Sequence, residues 1–167
     1  MRRRFGADEE DLLIAQGNLA NTYNELGRLD EALSMRQEVY SGHLKLNGEE
    51  HYDTLREAFN YAVSLQDLNR FEETKSLLRK MMPVARRLHG DNDRLTLKMR
   101  WSYAQSLYYD SGATLNDLRE AVTTLEDLER ITRRVFGGAH PLTASIWDEL
   151  RDARAVLRAR ETPSPRT

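Results

Sequence analysis

The sequence predicts an all-α fold, a solenoid of antiparallel helix pairs. Three observations carry this. The segments Leu19-Ala20-Asn21-Thr22-Tyr23, Tyr61-Ala62-Val63-Ser64-Leu65 and Tyr103-Ala104-Gln105-Ser106-Leu107 stand 42 residues apart, and a fixed period of this size marks stacked repeats. Gly6, Gly48 and Gly90 keep the same spacing, and Gly137 follows after 47. Within each repeat, apolar residues return at three- and four-residue intervals, as on one face of a helix.

Composition narrows the class. Hydrophobic residues make up 40% and charged residues 31% of the 167, too apolar for disorder and too polar for a membrane protein. No apolar run approaches the roughly 20 residues of a spanning helix. The absence of cysteine removes any disulfide framework or thiolate metal site and fits a reducing, cytoplasmic setting. A net charge of −2 gives no reason to expect nucleic acid as a partner. Met1-Arg2-Arg3-Arg4 has no apolar stretch after it and does not read as a signal peptide.

Taken in order, Arg3-Arg4-Phe5-Gly6 resembles Arg86-Arg87-Leu88-His89-Gly90 and Arg133-Arg134-Val135-Phe136-Gly137, so it reads as the last turn of an earlier helix. Asp8 to Leu26 is then the first full helix, with Leu12, Ala15, Leu19, Ala20, Tyr23 and Leu26 as its apolar stripe. Asp8, Glu9, Glu10 and Asp11 suit its N-terminus, and Gly27 its C-terminal end. A link of two to three residues sets the partner helix, Leu29 to Leu46, antiparallel. Its inward candidates are Leu29, Ala32, Leu33, Met35, Val39 and Leu46. The second repeat pairs Glu50–Leu68 with Phe71–His89. Pro83 lies inside the latter, and Gly42 sits near the equivalent place in the first repeat, so both second helices are expected to bend or loosen there.

The third repeat starts at Asn92 and runs to about Tyr109. Five extra residues then enter as the loop Asp110-Ser111-Gly112-Ala113-Thr114, with Thr114 and Asp117 as an N-cap. The following helix reaches about Phe136 through Leu118, Ala121, Val122, Leu125, Leu128, Ile131 and Val135. Pro141 opens a final helix to about Arg160, with Ile146, Trp147, Leu150, Ala153 and Leu157 inward and charges outward, as in a solvated cap. The expected division is repeats at about 6–47, 48–89 and 90–136, a capping helix at 141–160 and a disordered tail at 161–167.

Leu19-Ala20-x-x-Tyr23-x-x-x-Gly27-x-Leu29-x-x-Ala32 resembles the tetratricopeptide signature. The 42-residue spacing and the junction from Gly137 to Thr143, Gly-Gly-Ala-His-Pro-Leu-Thr, resemble the kinesin light chain type, also seen in nephrocystin-like proteins and sensor ATPase arrays. The chain departs from the pattern at Asn69, which replaces the turn glycine, at Thr74, which replaces the alanine, and at the insertion. The heptad segment that joins kinesin light chains to the motor has no counterpart here, so a motor role is not implied. The resemblance implies a right-handed superhelix of about seven helices.

No catalytic constellation stands out, and no cofactor or metal is expected. His43, His51, His89 and His140 lie near repeat junctions rather than at metal spacing, which suits capping or surface roles. The glycines punctuate helices and never form a phosphate-cradling run. Arg86-Arg87 and Arg133-Arg134 complement the dipoles of the helices they close.

In tetratricopeptide stacks the first helix of each pair lines a concave groove. The resemblance places there the rows Asn18, Asn60 and Ser102; Asn21, Val63 and Gln105; Ile14, Arg56 and Lys98; Gly17, Phe59 and Trp101; and Asn24, Gln66 and Tyr108. Amides suit the backbone of an extended peptide, Arg56 and Lys98 would attract an acidic segment, and Phe59, Trp101 and Tyr108 would form an apolar pocket. The competing reading is that the aromatics are core and the amides plain surface. The expected protein is thus a non-catalytic interaction scaffold without membrane or nucleic-acid partners. The alternative is a piece of a larger array that associates through its ends. Leu12, Leu13 and Ile14 cannot all enter one stripe, so the first helix is expected to leave an apolar face open to self-association, and a charge at Leu13 to suppress it.

Overall fold

The computed structural model describes residues 2–162, with side chains from Asp8 onward. The tail expected to be disordered lies, beyond Thr162, outside the described residues. Seven helices follow in order: α1 (Arg2–Glu25), α2 (Leu29–Asn47), α3 (Tyr52–Asp67), α4 (Phe71–His89), α5 (Arg94–Tyr109), α6 (Leu115–Phe136) and α7 (Pro141–Glu161). The described chain contains no strand. Two compact units divide it, Met1–Leu88 and His89–Thr167.

The turns follow from backbone chemistry. Gly27 has φ 73° and Asn69, 42 residues on, φ 58°. Asparagine tolerates this left-handed conformation better than other residues with a side chain, so its replacement of glycine keeps the turn. Arg28 and Arg70 open the second helices identically, each pairing with the glutamate three residues ahead, Glu31 and Glu73. Thr74, in place of the small alanine, is fully buried; its hydroxyl donates to the carbonyls of Arg70 at 3.1 Å and Ala62 at 3.5 Å, satisfying a polar group that burial would otherwise penalise.

The core of the first unit gathers Leu33, Val39, Leu55, Leu65, Leu78 and Met81 around the small residues Ala20, Ala32, Ala58 and Ala62. Tyr40 stacks on Tyr61 with centroids 6.1 Å apart. In the second unit α6 packs on both α5 and α7, and Leu97, Met99, Leu107, Leu118, Leu125, Leu128 and Ile146 are buried. Thr114 and Asp117 form the expected reciprocal cap at the start of α6.

Four expectations are corrected. Arg2 to Phe5 continue α1 rather than closing an earlier helix. The face that α1 turns to α2 carries Leu13, Gly17 and Ala20, while Leu12, Ala15, Leu19 and Leu26 are exposed. Gly42 selects this phase: a Cβ there would overlap Leu13 Cδ2 and lie 3.0 Å from Cδ1. Gly42 therefore permits close approach of α1 to α2, within an unbroken α2, and α4 likewise continues through Pro83. Finally, Trp147 lies exposed rather than inward, so α7 presents an indole among its outward charges.

Candidate functional site

In the first unit, α2 contributes a buried cation to an otherwise apolar stripe. Arg36 falls in phase with Ala32, Leu33, Val39, Tyr40 and His43, all buried. Glu57 stands in the same way among Thr54, Leu55, Ala58 and Ala62 of α3. Their side chains are only 9% and 8% exposed, and Arg36 Nη1 lies 3.4 Å from Glu57 Oε2. The other Nη of Arg36 donates to Asn21 Oδ1. Glu57 also accepts from Arg56 Nε at 3.1 Å and Asn60 Nδ2 at 3.1 Å, and Arg56 Nη1 reaches Asp53 at 2.7 Å. Asp53, Arg56, Glu57 and Arg36 thus form a chain of alternating charge. Burial pulls the Arg36 guanidinium below its ordinary value, with Glu57 opposing the shift.

Arg36, Arg56 and Glu57 floor a cleft of about 190 Å³, whereas Asp53 does not line it. Gly17 leaves room for it: a Cβ there would be 3.8 Å from Arg36 Nη1. The equivalent positions in the next two repeats hold Phe59 and Trp101, both half-buried. Asn18, Asn21 and Asn60 line the walls, and Ile14, 49% exposed, stands at the mouth. Arg36 and Glu57 are absent from the sequence-based site. Their signal was a charge inside a three-and-four spaced stripe, where only a paired ion is tolerated.

In the second unit the aligned residues meet a side chain of α7. Trp101 Nε1 donates to Glu149 Oε2 at 2.6 Å, and Gln105 Nε2 to Glu149 Oε1 at 2.5 Å. Burial raises the Glu149 carboxyl above its ordinary value, although the two donors pull the other way. Tyr108 is 9% exposed, and burial, followed by its bond to Tyr109, raises its hydroxyl far above the ordinary range. Lys98 is half-exposed, as is Val63 in the first unit. Asn18, Asn21, Arg56 and Asn60 therefore converge on one cleft, and Trp101 and Gln105 on one carboxylate.

Among the described residues no group of three or more metal-ligating side chains could hold an ion, and no helix is long and apolar enough to cross a membrane. His51 and His140 act as helix N-caps, each accepting through Nδ1 from a backbone N–H two residues on.

Family models described as tetratricopeptide repeat match residues 11–73 and 60–94. The chain belongs to the tetratricopeptide-repeat proteins. Within that class its fold is of the kinesin light chain type. A crystal structure of a variant Podosopora anserina protein, described as a kinesin light chain with nearly identical TPR-like repeats, matches at TM-score 0.78 and 20% identity, over 88% of this chain and 67% of that one. A second structure of that description matches at TM-score 0.75 and 19% identity, over 95% and 79%. BtubC from P. vanneervenii matches at TM-score 0.57 and 16% identity, over 93% and 68%. No curated protein matches the sequence.

Proposed function

We propose that the protein is a non-catalytic scaffold that holds an extended segment of a protein partner against the first helices of its repeats, in a cytoplasmic setting. The observation that carries this reading is the cleft of the first unit, where Asn18, Asn21 and Asn60 surround a buried ion pair. Amides offer the donors and acceptors that a peptide backbone requires. An acidic segment would be drawn chiefly by Lys98, because Arg56 is already held by Asp53 and Glu57.

Peptides selected from a random library on the immobilised chain test the proposal. Asn21→Ala with Asn60→Ala should reduce capture at least tenfold without loss of helicity, and unchanged capture would refute the groove. Arg56→Glu with Lys98→Glu should weaken acidic peptides mainly at low salt. Equal loss for neutral peptides would remove the acidic preference.

One observation favours a second reading, association through an end. Leu12, Ala15, Leu19 and Leu26 fall on one exposed face of α1. The variant that addresses it is Leu19→Lys; Leu13 is interior and would report on folding instead. A sedimentation coefficient independent of concentration in the parent would sink this reading.

A further inference from the structure

Two helix faces stand exposed, and each is of a kind that elsewhere in the chain receives a helix. On α1, Asp8, Leu12, Ala15, Leu19 and Leu26 share one exposed face, following one another at helical spacing. The places of Leu12, Ala15 and Leu19 are held 42 residues on by Thr54, Glu57 and Tyr61 of α3, and there α2 covers them. Thr54 donates to the His43 carbonyl at 3.2 Å, Glu57 pairs with Arg36 and Tyr61 stacks on Tyr40. On α7, Ala144, Trp147, Arg151, Ala155 and Arg158 likewise share an exposed face. By two steps of 42 and one of 47, Ala144 and Arg151 hold the places of Leu13 and Ala20, which α1 turns to α2.

We infer that these two faces cover each other between copies of the chain: α7 of one copy lies antiparallel on α1 of the next, with Trp147 against Leu19 and Arg158 against Asp8. This rests on the reading of association through an end, and it names the occupant as a second copy and its surface as α7. The spacings agree. Asp8 precedes Leu19 by 11 residues and Arg158 follows Trp147 by 11, about 16 Å along either helix. In this register Ala15 faces Arg151, whose aliphatic stem crosses the small side chain and carries the guanidinium toward Asp11. Charge selects the occupant. Asp8 and Asp11 have no ion-pair partner among the described residues, and Arg158 gives its Nε to the Arg154 carbonyl and has no carboxylate partner among them. Two copies of α1 would repel in either sense. Side by side in parallel, Asp8 meets Asp8; antiparallel, with Leu19 on Ala15, Asp11 nears Glu25. A parallel pairing of α1 with α7 would set Asp8 beyond Pro141, where α7 has not begun. Each copy in such a pair keeps one α1 face and one α7 face free, so the contact is heterologous and propagates. A single pair of helices buries little surface, and the association is weak and reversible.

Sedimentation velocity over a concentration series tests the pairing with two variants, Leu19→Lys and Trp147→Glu. The parent should associate increasingly with concentration, and each variant alone about tenfold more weakly, as when a central anchor is lost. Mixed, the two should recover a one-to-one pair, because the first keeps an intact α7 and the second an intact α1. Association of Trp147→Glu alone at the parent's strength overturns the inference but leaves association through α1 standing. A mixture that stays monomeric, with both variants as helical as the parent, also overturns it. A parent that is monomeric throughout removes the pairing together with the reading beneath it. Exchanged charges test the register without touching the apolar residues. Asp8→Arg and Arg158→Asp should each weaken association at low salt, and both in one chain should restore it. A doubly exchanged chain as weak as either single variant would overturn the antiparallel register.

Discussion

Leu13 occupies the space that a side chain on Gly42 would need, and this single contact sets the rotational phase of α1 on α2. Gly42→Ala should therefore destabilise the chain by about 1 kcal/mol, the overpacking cost of about 2 kcal/mol being offset by about 1 kcal/mol of helix preference. Leu13→Ala should cost about 3 kcal/mol. The double variant should lose less than the sum, because the new methyl partly fills the vacated volume. Urea unfolding of the four proteins checks this, and strict additivity would show that the two residues do not share one space.

The same contact shows why the phase of α1 could not be read from sequence. Leu12, Leu13 and Ile14 are consecutive, so several stripes through α1 are about equally apolar, and only the residue opposite decides between them. Turns and caps were readable because their chemistry is local: Gly27 and Asn69 supply left-handed backbone, and Thr114 with Asp117 satisfies its own helix end. Arg36, Glu57 and Glu149 were passed over for the opposite reason. The Arg36–Glu57 pair joins residues 21 apart and the Trp101–Glu149 bond residues 48 apart, and the local partners of Glu57, Arg56 and Asn60, give no sign of the buried cation that it also meets.

Breaking the buried pair should be unequal. Glu57 keeps Arg56 and Asn60 if Arg36 is lost, whereas Arg36 keeps only Asn21 if Glu57 is lost. Glu57→Leu should cost about 3 kcal/mol, in the range for an uncompensated buried charge, and Arg36→Met clearly less. Thermal unfolding of both variants measures the difference, and a reversed order would mean that solvent already compensates Arg36.

Glu149 gives a pH dependence of definite sign. Its carboxyl is raised by burial, so the folded state holds the proton more tightly than the unfolded chain. Its contribution to stability is complete below the unfolded value of about 4.3 and is lost as pH rises through the higher folded value. Glu149→Gln removes that loss, since its oxygen can accept from Trp101 while Gln105 turns its own oxygen to the new NH2. The melting temperature of the variant relative to the parent should therefore climb as pH rises above about 4. A flat difference would show that Glu149 titrates alike in both states.

His140 and His51 occupy the cap position that Asp93 fills in the third repeat, where Asp93 accepts from both Leu95 and Thr96. Each of these imidazoles accepts from one backbone N–H, whereas a carboxylate accepts from two and its charge suits a helix N-terminus. His140→Asp should add about 1 kcal/mol. Differential scanning calorimetry of the variant beside the parent would detect it, and a loss of stability would contradict the cap read at His140.

The matched pairs Arg28–Glu31 and Arg70–Glu73 bear on how fast the chain folds more than on how stable it is. Each is closed within four residues, before any distant segment must arrive, and each fixes the costly first turn of a helix. The starts of α2 and α4 can therefore order while the rest of the chain is still searching, and short-range closure of this kind favours rapid folding. Arg28→Ala with Arg70→Ala should accordingly slow refolding in stopped-flow measurements while leaving the unfolding rate nearly unchanged. The period that repeats the fold along the sequence also repeats the site at which each hairpin begins to form.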